Sequence, residues 1–572
     1  MTDTPLNGKP PNSINMAKKK SPIDPLESAH YGLHGTIVTM AGPNEITKGT
    51  IYVNAARIEA IIPDGKPVPD TLANYPVYKT KGTIFPGFIE LHNHLSYNCL
   101  PMWEVPKRYE NRSQWSGIDP YKQRISYPMN LLGKTKGYVE AIVRYVECKC
   151  LAGGVTTSQG IMLFSNAGIK KYYRGIVRNV EESGDINLPD VDAHIPDITA
   201  RDAEKFSRQL QKSTCLLLHL SEGTNASARR HFENLKFSET DWAIGPSLAG
   251  IHCVALQAQD FAIMKQKGAS MVWSPFSNLL LYGQTADIKS AKESGITIAL
   301  GSDWSPSGSK NLLGELKVAK LYSDANGKLF NDYELIAMAT KNAARIIKWD
   351  KELGTLEKGK RADLVVIKGQ GNDPYKTILN ASEKSIALVV INGTPRFGDA
   401  TLMRKFGSSG TEPKTISKKP KLFNLKQITQ DPVVGELTLS QATRRMKDGL
   451  LNIRKLATRS LPLRGMLDKQ GNRFLVPLKA RPEANAEPEW VLVLDHNEDE
   501  GEAVRPHFDP MAKYGLPFKK QAPMEITPEV LVPIQLDALT VAGDPTFFKR
   551  VAAQMNLPDY IKTGLKKMYG DL

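Results

Sequence analysis

His92 and His94, in PGFIELHNHL, are the first residues whose types and spacing could do chemistry. The apolar residues before them read as a strand, and positions i and i+2 of a strand share one face. Both imidazoles can therefore address one ion. Taken alone, the pair equally describes two satisfied histidines at a strand end. Later segments add companions. CLLLHLSEG puts His219 at the end of an apolar run, with Glu222 three residues on. AGIHC carries His252 at the end of the next run, and ITIALGSDW carries Asp303 at the end of one more. Ligand-type residues at successive strand ends point to a (β/α) barrel, which keeps its chemistry at the C-terminal ends of its strands.

The pattern of the chain supplies elements to hold these groups. Residues 1 to 28 are rich in Pro, Asn, Ser and Lys and read as a flexible tail. Residues 29–84 contain short β-branched runs between turns (GLHGTIVTM, GTIYVNAARIEAIIP, YPVYKTKGTIFP), the first part of a small β-sandwich. Across 85–348, apolar strand candidates alternate with helical stretches such as YVEAIVRYVECKCLAGG and AQDFAIMKQKG. That alternation and length fit a (β/α)8 barrel. Residues 349–405 return to short strands (RADLVVIKG, SIALVVINGTPRFG) and would complete the sandwich.

Residues 406–572 form a C-terminal extension with no assigned role. GSSGTEPKTISKKPK reads as a linker, LSQATRRMKDGLLNIRKLA as a helix, and WVLVLDH as a strand before the acidic NEDEGE turn. The end, DPTFFKRVAAQMNLPDYIKTGLKKMYG, reads as two helices broken at Pro558. The expected fold class is α/β: a (β/α)8 TIM-like barrel inserted in a small β-sandwich, plus an extra C-terminal α+β region.

PGFIELHNH, HLSE, the isolated His252, WSPFSN, LGSDW and MATKNAARI followed by GTLEKGKRADLVVI occur in one order. Over about residues 30 to 400 that series resembles the amidohydrolase superfamily, in particular its branch of cytosine, guanine and methylthioadenosine deaminases and triazine hydrolases. The resemblance implies His92, His94, His219 and Asp303 as ligands of one divalent metal ion, zinc first and iron as the alternative. It implies His252 as the residue that orients the attacking water or polarises the substrate. Glu222 would shuttle protons, and Asp303 would also accept the proton of the water. Dinuclear relatives carry a lysine on the fourth strand. The corresponding NLPDVDAHIPDIT has none, which points to a mononuclear site. His194 in that segment reads as a loop or surface residue, with a site role as the alternative. His30, His34, His231, His496 and His507 lack partners at ligand spacing and read as structural.

WEVPKRYENRSQW follows the first barrel strand. Trp103, Tyr109, Arg112 and Trp115 could wall a flat or anionic substrate, or form a packed loop beneath a lid. Ser277 and Asn278 in WSPFSN read as organisers of a turn. Cys148 and Cys150 read as structural, and Cys253 as pointing away from the site.

Composition bounds the rest. Hydrophobic residues make up 41% and charged residues 24%, values of a soluble globular chain. The 75 Lys and Arg exceed the 60 Asp and Glu by 15, without an arginine-rich block. The excess favours acidic partners only in a general way, and nucleic acid is not the expected ligand. The basic runs near KKPKLFNLK and RRMKDGLLNIRKLATR read as solvated faces, or as a docking surface. Apolar runs such as Ile386 to Ile391 fall short of the roughly 18 residues of a membrane span. Five cysteines without a framework and an N-terminus without an apolar signal core predict a cytoplasmic protein.

The function expected is hydrolysis of a non-peptide C–N bond. Its first form is deamination of a heterocyclic small molecule by metal-bound hydroxide. Cyclic-amide opening, or removal of another leaving group, is the alternative on the same site. A reading of another class is a non-catalytic, metal-stabilised scaffold with a basic C-terminal surface. Glu222 and His252 weigh against it, since neither is needed merely to hold a metal. A homo-oligomer is compatible with the resemblance.

Overall fold

The computed structural model of the chain describes residues 30–165, 170–369, 371, 373–407, 410–427, 431, 433–459, 463–467, 473–477, 489–494 and 528–570. The tail 1–28, the NEDEGE turn, His496 and His507 lie outside the described residues.

Four strands precede the barrel: β1 (His30–Val38), β2 (Ile46–Asn54), β3 (Arg57–Pro63) and β4 (Val77–Pro86). The barrel opens with β5 (Phe88–Glu90) and β6 (Val155–Ser158), followed by a side hairpin, β7 (Met162–Ser165) and β8 (Lys170–Tyr172). It continues with β9 (Arg178–Asn179), β10 (Asp192–His194) and β11 (Leu216–Leu220). It ends with β12 (Leu248–His252), β13 (Ser270–Trp273) and β14 (Thr297–Leu300). β5, β6 and β9 pair in parallel as one arc, and β10 to β14 as another.

Backbone hydrogen bonds join the arcs at both ends. Val191 N donates to Val180 O at 3.0 Å. On the far side, Asp303 N donates to His92 O at 2.9 Å and His94 N to Asp303 O at 2.8 Å. The result is a closed eight-stranded parallel barrel, as the strand–helix alternation predicts.

After the barrel come β15 (Leu364–Ile367), β16 (Ile386–Ile391), β17 (Thr394–Asp399), β18 (Thr411–Ile416) and β19 (Lys419–Asn424). They join the first four strands in one sheet, ordered β18-β19-β17-β16-β15-β4-β1-β2-β3. The two flanks meet where β15 runs antiparallel to β4, with Leu364 opposite Pro86. β16 is buried along its whole length because both of its faces are used. Leu388 and Val390 pack with Leu33, Ile51 and Leu364 in the core of the sheet. Val389 and Ile391 pack with Val365 and Phe85 toward the barrel. Alternation of period two, with every position apolar, gives the unbroken run IALVVI.

The stretch expected as a linker is a hairpin instead. β18 and β19 pair residue for residue from Thr411–Asn424 to Ile416–Lys419. Ser417 and Lys418 turn the chain at φ 44° and 62°. Composition hid this hairpin because its lysines read as solvated. Lys421 is in fact buried, and its ammonium donates to Asp399 Oδ1 at 2.7 Å.

The extension packs on the barrel. Helix Leu439–Leu451 follows Leu437, whose carbonyl accepts from Arg144 Nε at 2.9 Å on helix Tyr138–Ala152. Trp490–Leu492 pairs antiparallel with β7. The last two helices are Phe547–Ala553 and Asp559–Tyr569, as expected on either side of Pro558. The second lies on helix Leu312–Ala325, where Lys317 Nζ stands 4.6 Å from the centre of the Tyr569 ring. Asp537 is fully buried and pairs with both Lys149 and Lys310. Lys310 also meets Asp544 at 3.0 Å, and Arg550 meets Asp544 at 3.2 Å. No helix among the described residues is long and apolar enough to cross a membrane.

Burial alone would raise the Asp544 carboxyl, but Lys310 and hydrogen bonds from Thr546 outweigh it and bring it from 3.8 down to about 2. A depressed carboxyl contributes stability that is complete above its unfolded value and is lost as pH falls through the folded one. Asp544→Asn should therefore lower the melting temperature at neutral pH, with the deficit narrowing between about pH 4 and about pH 2. Thermal unfolding across that window checks it, and a deficit independent of pH would contradict the pairing.

Candidate active site

The ligand-type residues all stand at the C-terminal ends of barrel strands. His92 and His94 follow β5, His219 lies near the end of β11, His252 closes β12, and Asp303 follows β14. The backbone leaves the strands abruptly there. Ser221, His252, Cys253 and Asp303 have φ of 52°, 66°, 53° and 63°. Left-handed conformations at non-glycine residues cost about 1–3 kcal/mol each and persist only where the surroundings enforce them. Gly301 makes the approach of β14 to β5 possible. A Cβ on it would fall 2.3 Å from His92 Cβ.

The side chains converge. The His92 ring centre lies 4.7 Å from that of His219, 4.8 Å from His252 and 5.1 Å from His94. Asp303 Oδ1 is 3.2 Å from His92 Nε2 and 3.4 Å from His94 Nε2. His219 Nε2 is 3.3 Å from His94 Nε2. Ligand atoms of His92, His94 and His219 lie within 4.8 Å of one another, as do those of His92, His252 and Asp303. His94 is half-buried, and the other four are buried.

Burial lowers the affinity of His92, His219 and His252 for a proton, so each ring favours its neutral form. Burial alone would raise Asp303, but the His92 ring beside it and the other histidines hold its carboxyl well below the usual range. Glu90, just before the two histidines, is pushed by burial up to about 8 and accepts from Ser302 N and Oγ at 3.0 and 2.8 Å.

Glu222 stands beside this group. Tyr282 Oη donates to its Oε1 at 2.8 Å, and Trp115 Nε1 donates to Tyr282 Oη at 3.0 Å. Its Oε2 is 3.8 Å from His252 Nε2 and 3.9 Å from an Arg112 Nη. His252 is fixed from behind, with Nδ1 2.9 Å from Asn278 Oδ1. Asn278 Nδ2 donates to Thr285 Oγ1 at 3.0 Å, which also takes the Trp273 indole N–H at 2.7 Å. Thus Asn278, read from sequence as a turn organiser, sets the tautomer of His252: Nδ1 carries the proton and Nε2 is free to accept.

A cleft of about 360 Å³ opens over these groups. Of the four loop residues singled out in the sequence, Arg112 and Trp115 line it. Trp103 and Tyr109 are buried behind it. Trp103 packs edge-on against Tyr121, and Tyr109 N donates to Leu281 O at 3.0 Å. Tyr97, Tyr121, Trp304 and Ile195 complete the wall. Trp304 adjoins Asp303 and Tyr97 follows His94 by three, so both stood close to motifs already in view. Tyr121, Tyr282 and Ile195 carry no local signal. His194 ends β10, half-buried and apart from the cluster, with its ring 6.2 Å from Phe206. His34 and His231 pair with Asp64 and Asp197.

Residues 201–396 match the model of the Amidohydrolase family. The chain carries an amidohydrolase domain. It is 25% identical over 399 residues to the 5-methylthioadenosine/S-adenosylhomocysteine deaminase of Moorella thermoacetica, covering 63% of this chain and 91% of that protein. It is 23% identical over 332 residues to the 5'-deoxyadenosine deaminase of Methanobrevibacter smithii, covering 51% and 74% respectively. The triazine hydrolase of Arthrobacter aurescens superposes with a TM-score of 0.51 at 18% identity, covering 73% of this chain and 99% of that one. That last likeness is one of fold.

An amidohydrolase domain is a hydrolase, and such domains are generally metal-dependent. The residues present fit a cation. Both ring nitrogens of His92 are buried without a hydrogen bond, and a cation would partner one of them, Nε2, which faces Asp303. Neutral imidazoles beside an ionised carboxylate are the donor set that zinc or ferrous iron takes. Asn278→Ala would strand the buried His252 Nδ1–H and remove a partner of Thr285. It should cost about 1–3 kcal/mol of stability. Denaturant unfolding checks the value, and a loss near zero would contradict the bond.

Proposed function

We propose that this protein is a mononuclear metal-dependent hydrolase that deaminates a flat heteroaromatic amine. The observation that carries the reading is the pair Glu222 and His252. They stand 3.8 Å apart, next to the candidate ligands and under aromatic walls. Holding a cation requires neither Glu222 nor its hydrogen-bonded support.

His92, His94, His219 and Asp303 would hold one divalent ion, zinc in the first place. β10, the fourth barrel strand, is Asp-Ala-His, so no lysine there is available to bridge a second ion. When bound, the ion supplies Lewis acidity that brings a water toward ionisation near neutral pH. The remaining steps belong to the side chains. Tyr97, Trp115, Tyr121 and Trp304 enclose the ring of the substrate, and Arg112 attracts its electron-rich edge. His252, neutral and with Nε2 accepting, orients the attacking water. Asp303 takes a proton from that water. Glu222 passes a proton to the ring nitrogen and then to the departing amine. Tyr282, held by Trp115, fixes the Glu222 carboxylate in line for both transfers. The relatives named as adenosine-type deaminases support this class of reaction. The five cysteines, all free and buried, support the cytoplasmic setting.

Elemental analysis and an ammonia-release screen over aminated purines, pyrimidines and triazines test the proposal. The expected result is about one zinc or iron per chain, absent from His92→Ala and retained in Glu222→Gln, whose turnover should fall about 10²–10⁴-fold. Two ions per chain would contradict the mononuclear site. No ion after reconstitution would overturn the reading. Tyr282→Phe should keep the metal and lose about ten- to a hundredfold in kcat, the worth of a hydrogen bond to a charged group. Unchanged kcat would remove Tyr282 from the mechanism.

A further inference from the structure

The C-terminal extension reaches the site from behind. Asp537, from a segment with no regular structure, is fully buried between the ammonium groups of Lys149 and Lys310. Its backbone is pinned as well: Asp537 N donates to Cys99 O at 2.9 Å, and Tyr145 Oη donates to Asp537 O. Lys149 has two further acceptors, Asn98 O at 2.8 Å and Ser305 Oγ at 2.7 Å. Asn98 continues the chain in two directions. Its Nδ2 donates to Asn93 Oδ1 at 2.8 Å, and its Oδ1 accepts from Ser305 N at 2.7 Å.

Asn93 lies between His92 and His94, and Ser305 lies two residues after Asp303. Every member of this path is buried. One continuous hydrogen-bonded path therefore runs from Asp537 through Lys149 and Asn98 to the ends of β5 and β14, two of the three strand ends that carry candidate ligands. Downstream, Gln554 repeats the tie on the neighbouring loop. Its Nε2 donates to Trp103 O at 2.9 Å, and its Oε1 accepts from Val105 N at 3.2 Å.

We propose that Asp537 is a positioning residue for the metal centre, acting through Lys149, and that the segment around it completes the active site. The inference rests on the metal-centre reading above. The physical reason is that a buried ammonium needs a fixed counter-charge. Without Asp537, Lys149 loses the charge that holds it against Asn98 and Ser305, and the two strand ends lose their common brace. Partners outside the ligand shell that orient ligands typically change metal affinity by about 10–100-fold when removed.

The test uses the full chain reconstituted with cobalt(II), whose visible absorption reports ligand geometry, and zinc affinity measured by competition with a chromophoric chelator. Lys149→Met is the lead variant. It removes one ammonium and leaves Lys310 and Arg550 against Asp537 and Asp544, a balanced set that should fold. The expected result is a shifted cobalt band and zinc binding weakened about 10-fold, with the far-ultraviolet circular dichroism unchanged. Asp537→Asn should move both readouts the same way. The double variant should be no worse than the more affected single, because the two residues act on one path.

A folded Lys149→Met protein with the original cobalt spectrum and zinc affinity would overturn the proposal, as would strictly additive effects. Should Asp537→Asn fail to fold, the Lys149→Met result decides alone. Failure of the unsubstituted protein to bind either ion would overturn the metal-centre reading itself, and this inference with it.

Discussion

Closing a parallel barrel requires the last strand to hydrogen-bond to the first, and in this chain the closure falls on the site. The bonds that join β14 to β5 are made by the backbones of His92, His94 and Asp303. The side chains of the same residues converge within 3.2–3.4 Å. Barrel closure and site assembly are thus one event. Gly301 is part of the same constraint, since no side chain fits between the two strands. Positive φ at Asp303 follows as well: the chain must turn out of β14 at once to aim its carboxylate inward. The strain is localised where closure bonds and packing can hold it.

The second theme is charge taken out of water. Arg178 of β9 bridges to Asp363 at the start of β15, and also reaches Asn392 at 2.7 Å and Thr157 at 2.9 Å. Arg144 and Glu147 pair inside helix Tyr138–Ala152, and Glu147 accepts from Val177 N at 3.1 Å. Lys149, Lys310 and Asp537 form a third group. Such pairs add little net stability over apolar packing, but breaking one by removing a partner costs about 3–5 kcal/mol. Their effect is selection of geometry. The first joins barrel to sheet and the third joins barrel to extension, parts distant in sequence, and each group tolerates few alternative arrangements. The net charge of +15 hides this, because the lysines that matter most are inside.

Legibility from sequence followed the strength of local signals. β11, β12, β13 and β14 are apolar runs that end in histidine, tryptophan or a GSD turn, and they are visible as strands. β9 is only Arg178–Asn179, polar on both residues, and β10 is Asp-Ala-His. Neither has a period to detect, and tertiary ion pairs hold the first of them in place. The six residues that converge beneath the cleft were legible because ligand-type side chains at strand ends leave a mark at each position. Their supports were less so. Asn278 carries the same letter whether it closes a turn or fixes a ring, and Tyr282 looks like the apolar end of a helix. The β18–β19 hairpin was misread because Lys421, which reads as solvated, is buried and paired with Asp399 of β17.

The loop after β5 shows where local reading must stop. Trp103, Tyr109, Arg112 and Trp115 are chemically equivalent candidates for a binding wall when seen as sequence. Two face the cleft and two are buried behind it, and the loop alone does not decide which. The division is set by what occupies its inner side. Gln554 holds the backbone at Trp103 and Val105, and Asn556 donates to Lys107 O at 3.1 Å and Leu280 O at 2.9 Å. The contacts to the loop span 449 to 451 positions of chain, and through Asn556 they tie it to helix Pro275–Tyr282, which carries Asn278 and Tyr282. With one side of the loop committed to the extension, its other side carries Arg112 and Trp115 at the cleft. The aligned relative from Moorella matches 63% of this chain, and residues 554–556 are part of what builds this loop's wall. The wall that Arg112 and Trp115 give the cleft is therefore built by barrel and extension together.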